Sequence, residues 1–117
     1  MYMLSSEHRL RHKKDFETVF TKGLRTNGAG LGLRFGKRYK PEVPTRFGFV
    51  VGLKVSKNSV ERNQLKRRMR EAVRALKSRV PVGYDIVFIA FPEAKGMELA
   101  AVRGQIETML KKAKLLV

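Results

Sequence analysis

The chain has 117 residues, 43% of them hydrophobic, and sets 26 Lys and Arg against 10 Asp and Glu for a formal net charge of +16. That length supports one core, so residues 1–117 read as a single domain, and the hydrophobic fraction argues against wholesale disorder. The absence of Cys excludes disulfides, thiol chemistry and Cys-based zinc sites; no apolar run nears the roughly 20 residues of a membrane span, and the first ten residues lack the pattern of a secretory leader, so the expected compartment is the cytoplasm.

A polar start, Ser5 to Lys14, leads into a short predicted helix from Asp15 to Gly23, with Asp15 as N-cap and Gly23 as stop. Phe16 and Phe20, four apart, share its face. Residues 30–38 alternate: Leu31, Leu33 and Phe35 point one way, Gly32, Arg34 and Gly36 the other. After a turn with Pro41 and Pro44, residues 46–52 alternate again, with Phe47, Phe49 and Val51 opposite Gly48, Val50 and Gly52. Paired antiparallel, these two segments would give a bulky face for helices to cover and a glycine-lined face left shallow and open, with Arg34 rising from it. A further short strand around residues 24–29 is left open by the pattern.

Residues 58–79 carry the strongest helical pattern. Asn58 and Glu61 fit a capping box, and Leu65, Met69, Ala72, Val73 and Leu76 form a stripe for burial. Pro81 and Gly83 close that segment. Residues 84–91 are apolar on both faces, which suits an interior strand. Leu99, Val102, Ile106, Met109, Leu110 and Ala113 mark a last amphipathic helix. The order α-β-β-(β)-α-β-α predicts an α+β fold, an α/β sandwich with a small mixed sheet packed by helices.

Charge is concentrated. Lys54 to Arg79 holds ten basic residues and two acids, a local net of +8. On a helix, Asn63, Lys66, Arg67, Arg70, Arg74 and Lys77 fall within a band of about 100°, forming a ridge about 20 Å long, apart from the apolar stripe. A solvated polar face is the bland alternative, but such faces usually mix signs. Glu71, four residues after Arg67, lies off this ridge and is the one acid of the segment after Glu61, so the ridge keeps a large positive excess. The ridge fits a polynucleotide backbone.

Phe16 and Phe20 admit two readings. Paired aromatics at helical spacing are most often core. Beside Arg9, Arg11, Lys13 and Lys14 they would also serve as a stacking platform for unpaired bases. Catalytic constellations are not evident. His8 and His12 have no third ligand, and the acids are scattered, so no metal site or two-metal phosphodiester chemistry is expected from the side chains themselves.

The run Arg62-Asn63-Gln64-Leu65-Lys66-Arg67-Arg68-Met69-Arg70-Glu71 resembles the signature of the bacterial ribonuclease P protein subunit: Arg-Asn-Arg, an apolar residue, Lys-Arg, then Arg-Glu. Asp15-Phe16 with Val19-Phe20 is similar to that family's first helix, and Arg46-Phe47-Gly48 to its Arg-Leu-Gly strand opening. The resemblance spans nearly the whole chain. It implies a left-handed βαβ crossover, as in ribosomal protein S5 domain 2-like folds. It also implies a protein partner of a catalytic RNA that removes the 5′ leader of precursor tRNA, the Mg2+ being held mainly by the RNA. The holoenzyme would be an endoribonuclease to which this chain gives no catalytic residue, and the isolated chain a monomer. By resemblance, Arg62, Asn63, Lys66, Arg67, Arg70 and Arg74 would bind the RNA subunit. Phe16, Phe20, Arg34 and Lys54 would line a leader groove, with Arg11 and Lys13 at its rim.

Three positions depart from the family pattern. Gln64 replaces the second Arg of the motif. Gly52-Leu53 stands where a small residue and a Lys are usual, leaving Lys54. Arg34 takes a position that is aromatic in some relatives. The rival readings are an RNA-scaffolding protein of ribosomal type, which composition permits equally, a protein-only nuclease, and a DNA-binding module.

Overall fold

The computed structural model describes residues 6–117; residues 1–5, which carry half of the segment read as lacking a leader, lie outside the described residues. A single 3-10 turn at Ser6–His8 precedes α1 (Lys13–Lys22), β1 (Leu24–Asn27), β2 (Leu31–Lys37), β3 (Arg46–Val50), α2 (Ser59–Leu76), β4 (Tyr84–Ala90) and α3 (Leu99–Lys112). This is the expected α+β order. The strand left open by the pattern forms at Leu24–Asn27.

The four strands make one mixed sheet in the order β1-β2-β4-β3. β2 runs antiparallel to both β1 and β4, and β3 runs parallel to β4. The expected antiparallel pair of segments 30–38 and 46–52 therefore does not form, because β4 lies between them. Its composition explains the placement: Ile86, Val87 and Phe88 are all fully buried, which requires cover on both faces and suits an interior position. β3, an edge strand ending at Val50 rather than residue 52, reaches β4 through the α2 crossover.

One face of the sheet carries the main core. Leu31, Leu33, Phe47, Ile86 and Phe88 pack there against Leu65, Met69 and Val73 of α2 and Val102, Ile106 and Met109 of α3. Each such burial contributes on the order of 1.5–3 kcal/mol. The opposite face carries a smaller cluster in which Leu10 and Val19 cover Val87, joined by Phe16, Val50 and Ile89. The glycine-lined face is thus not open along its length. A Cβ on Gly48 would lie 2.6 Å from the Phe16 ring, and one on Gly32 2.7 Å from the Phe91 ring. Both glycines let an aromatic ring approach backbone.

The helix ends are built from side chains close in sequence. α1 begins at Lys13 with His12 at the N-cap and no side-chain cap; Asp15 sits in the first turn, its carboxylate turned to Arg46 instead of capping. Gly23 ends α1, where a Cβ would sit 2.8 Å from the Phe35 carbonyl oxygen. At α2, Asn58 accepts hydrogen bonds from the Val60 and Glu61 amides. Glu61 does not close the capping box directly. The Ser56 hydroxyl donates to the Glu61 carboxylate at 2.5 Å and accepts from the Asn58 amide at 3.1 Å, so the box closes through Ser56. α2 stops at Leu76 and a 3-10 turn, Lys77–Arg79, completes the segment expected to reach 79.

Candidate nucleic-acid interface

α2 buries Leu65, Met69, Ala72 and Val73, which turns the opposite side to solvent. There Asn63, Arg67 and Arg74 are exposed, and Lys66, Arg70 and Lys77 half-buried. Among the described residues, Lys66, Arg67, Arg70, Arg74 and Lys77 enter no ion pair. The six expected ridge residues therefore share one flank, and its cations keep their charge unneutralised by protein. Arg62 stands apart. It falls at the edge of the buried stripe, half-buried, and its Nη1 donates to the Ser56 carbonyl at 2.9 Å. Arg68, also off the ridge, donates to the Met97 carbonyl at 2.8 Å and ties α2 to the approach of α3.

Arg70 connects the ridge to a groove. Its guanidinium carbon lies 5.9 Å from the Phe49 ring centroid, a cation–π distance. Phe49 in turn stacks on Phe88 at 6.0 Å. Arg70, Phe49, Gly48, Phe16, Arg9 and Arg11 bound a groove of 180 Å³ that crosses the β3 edge between α1 and α2. The segment before α1 partly caps that edge, since the Leu10 amide donates to the Phe47 carbonyl at 2.8 Å. Arg9 and Arg11 also border a wider cleft of 410 Å³ with His12, Arg38 and Arg46. The Arg9 Nε is buried there without a hydrogen-bond partner.

The expected groove residues divide. Phe16 and Arg11 line the groove. Phe20 and Arg34 meet one turn farther along α1: the Arg34 guanidinium lies 5.2 Å from the Phe20 ring centroid, and its Nη1 donates to the Phe20 carbonyl at 3.2 Å. Phe20 remains 37% exposed, so a flat face is accessible beside a charge. Lys54, in the turn after β3, is exposed and does not line the groove; Lys13 projects into solvent 3.9 Å from Glu17. Phe49 and the groove-side role of Arg70 were not anticipated, and Arg9 was read only as part of the basic cluster beside Phe16. The basic cluster before α1 hinted at Arg9, but Phe49 needed knowledge that β3 is an edge.

At the wider cleft beside the groove lies an ion network that sequence reasoning missed. Arg46 donates twice to Asp85, Nε at 2.8 Å and Nη2 at 2.7 Å, and its Nη1 is 3.2 Å from Asp15. Arg38 lies 3.8 Å from the same Asp85. The hydrogen bonds with Asp85, more than any other cause, hold the Arg46 pKa above its ordinary value. Arg46 and Gly48 are alternate residues on one face of β3, so α1 is docked at two points, Asp15 on Arg46 and Phe16 on Gly48. Asp15 and Asp85 are thus committed to arginines. Among the described residues no group of three or more His, Asp or Glu is placed to hold a metal ion.

These features define a class: a small basic α+β protein whose unpaired cations line one helix flank and an aromatic groove beside it. Residues 4–114 match the family model of ribonuclease P proteins. The chain is 37% identical to the ribonuclease P protein component of a Synechococcus species, over 98% of this chain and 88% of that one. It is 35% identical to that of Brevibacillus brevis, over 93% and 85%. Among solved structures it superposes on the Staphylococcus aureus RNase P protein with a TM-score of 0.83, 29% identity and coverage of 94% and 98%. On the Thermotoga maritima protein the TM-score is 0.77, with 31% identity and coverage of 89% and 96%. The chain belongs to the ribonuclease P protein family, the protein side of a tRNA-processing endoribonucleoprotein. No helix among the described residues is long and apolar enough to cross a membrane.

Proposed function

We propose that the protein docks on the catalytic RNA of ribonuclease P through the α2 ridge and takes the single-stranded 5′ leader of precursor tRNA in the adjoining groove. The observation that carries this reading is Arg70, which belongs to the unpaired cation ridge and also borders the groove opposite Phe16. One helix can then face the RNA subunit and the substrate together. The leader is held by phosphate contacts to Arg9, Arg11 and Arg70 and by stacking on Phe16, with Phe20 and Arg34 one turn away. Such contacts tolerate any base, so sequence preference is weak. Bond cleavage and its Mg2+ ions belong to the RNA.

The test is cleavage of precursor tRNA by a bacterial ribonuclease P RNA at low magnesium, with and without the protein. Added protein is expected to restore cleavage; no effect would leave the scaffolding reading in its place. Phe16→Ala should weaken precursor binding by about 5- to 100-fold, the worth of one stacked base, and leave mature tRNA binding unchanged. Equal losses for both substrates would remove the leader groove.

A further inference from the structure

The sheet face that packs on α3 ends, away from the β3 edge, in a second concavity. Leu24 pairs with Phe35 and Lys37 with Tyr84 in register, so these four side chains share the face that packs on α3. Together with Lys22 and Lys114 they border a cleft of 360 Å³. Its floor is apolar: Leu24 and Phe35 join Ala113 and Leu115 beyond α3, and Leu24 is 68% exposed. Lys37 and Tyr84 also border a neighbouring cleft of 200 Å³ that adds Arg38, Pro41 and Val82. Neither cleft has a carboxylate among its lining residues.

A second observation points to the same place. Lys114 has φ 59, and no other non-glycine among the described residues has a positive φ. It follows the last turn of α3, where the Leu115 amide reaches back to the Leu110 carbonyl at 2.8 Å and Leu115 is buried. Glycine is the favoured residue in that conformation, and an L side chain there stores strain. Strain of this kind gathers at sites where a side chain is needed. Here it sets a lysine on the rim of an apolar, acid-free cleft.

We propose that this double cleft holds an unpaired nucleotide of the ribonuclease P RNA subunit. The base lies on the apolar floor against Tyr84, and the phosphates on either side of it meet Lys114, Lys22 and Lys37. A flat π-face suits a floor of one aromatic ring and aliphatic side chains, and cations spaced around the rim suit a backbone that enters and leaves. The contact is separate from the leader groove, which crosses the β3 edge at the other end of the strand order from β1. It rests on the RNA-subunit partnership proposed above.

Leu24 is exposed enough to accept a photo-reactive benzoylphenylalanine in the full chain. Irradiating the complex with a bacterial ribonuclease P RNA should give a crosslink to a single-stranded segment of that RNA. No crosslink, a crosslink confined to base-paired helix, or one to tRNA alone overturns the proposal. So does suppression of the crosslink by a glutamate oligomer but not by an oligoadenylate, which would assign the cleft to an acidic peptide. Lys114→Gly supplies an independent arm. It relieves the backbone, so Tm should rise by a few degrees while affinity for the RNA subunit falls about fivefold, the scale of one lost phosphate contact. A purely structural role would move both in the same direction, and a raised Tm with unchanged affinity sinks the proposal. Arg67→Ala, measured in parallel, separates the two readings. If it too leaves affinity unchanged, the RNA-subunit docking itself fails; if it weakens binding while position 24 stays silent, this inference alone fails.

Discussion

Gly48 and Arg46 decide how α1 sits, and they do so by opposite means. Gly48 acts by what it lacks: a methyl group there would meet the Phe16 ring at 2.6 Å. Gly48→Ala should therefore push Phe16 off the sheet and destabilise the fold by about 1–3 kcal/mol, the usual cost of overpacking, read as a lower midpoint in urea. Leader binding should fall with it, because Phe16 forms one wall of the groove. Arg46 acts by forked geometry, donating twice to Asp85 while also reaching Asp15; a lysine there keeps the charge but loses the fork. At this scale the sequence was partly legible. Phe16 could be placed on a helix beside basic residues, and the glycines on one strand face, because spacing alone carries that information. The Arg46–Asp85 pair could not be found, since it depends on β3 and β4 being neighbours across 39 residues of chain.

At the scale of elements, α2 was readable for a physical reason: its apolar stripe and its cations both repeat at the helical period, and each occupies its own flank. The strand partners were less readable. Alternation tells which way a side chain points, yet it does not say which strand lies alongside. Residues 30–38 and 46–52 looked like an antiparallel pair because they alternate alike, while the doubly apolar β4 takes the place between them. The N-terminus of α2 shows a similar limit. Asn58 and Glu61 were legible as a box, but Ser56, two residues earlier, closes it. Ser56→Ala should leave the Glu61 carboxylate and the Asn58 amide without that partner. It should cost about 0.5–2 kcal/mol, in the range of a lost N-cap, measurable as a drop in Tm. An unchanged Tm would show that the relay through Ser56 contributes nothing.

Over the whole molecule the governing quantity is the charge of +16. Few of the cations are spent internally: among the described residues six ion pairs engage Arg38, Arg46, Lys13, Lys111 and His8, and none lies on the ridge. Salt should therefore act with opposite signs on the two states of the protein. Screening relieves self-repulsion in the free chain, so its Tm should rise with added sulfate or phosphate. The complex with RNA should weaken instead, because each neutralised phosphate releases counterions. With Lys66, Arg67, Arg70, Arg74 and Lys77 all on phosphates, the log–log slope of affinity against salt should be about −3.5 to −4.5 from the ridge alone. Arg67→Ala should make that slope shallower by a little under one unit. Arg62→Ala should leave the slope almost unchanged and lower the Tm, because the Arg62 guanidinium is engaged by the Ser56 carbonyl. If instead Arg62→Ala flattens the slope as much as Arg67→Ala does, the contact surface extends past the ridge onto the start of α2.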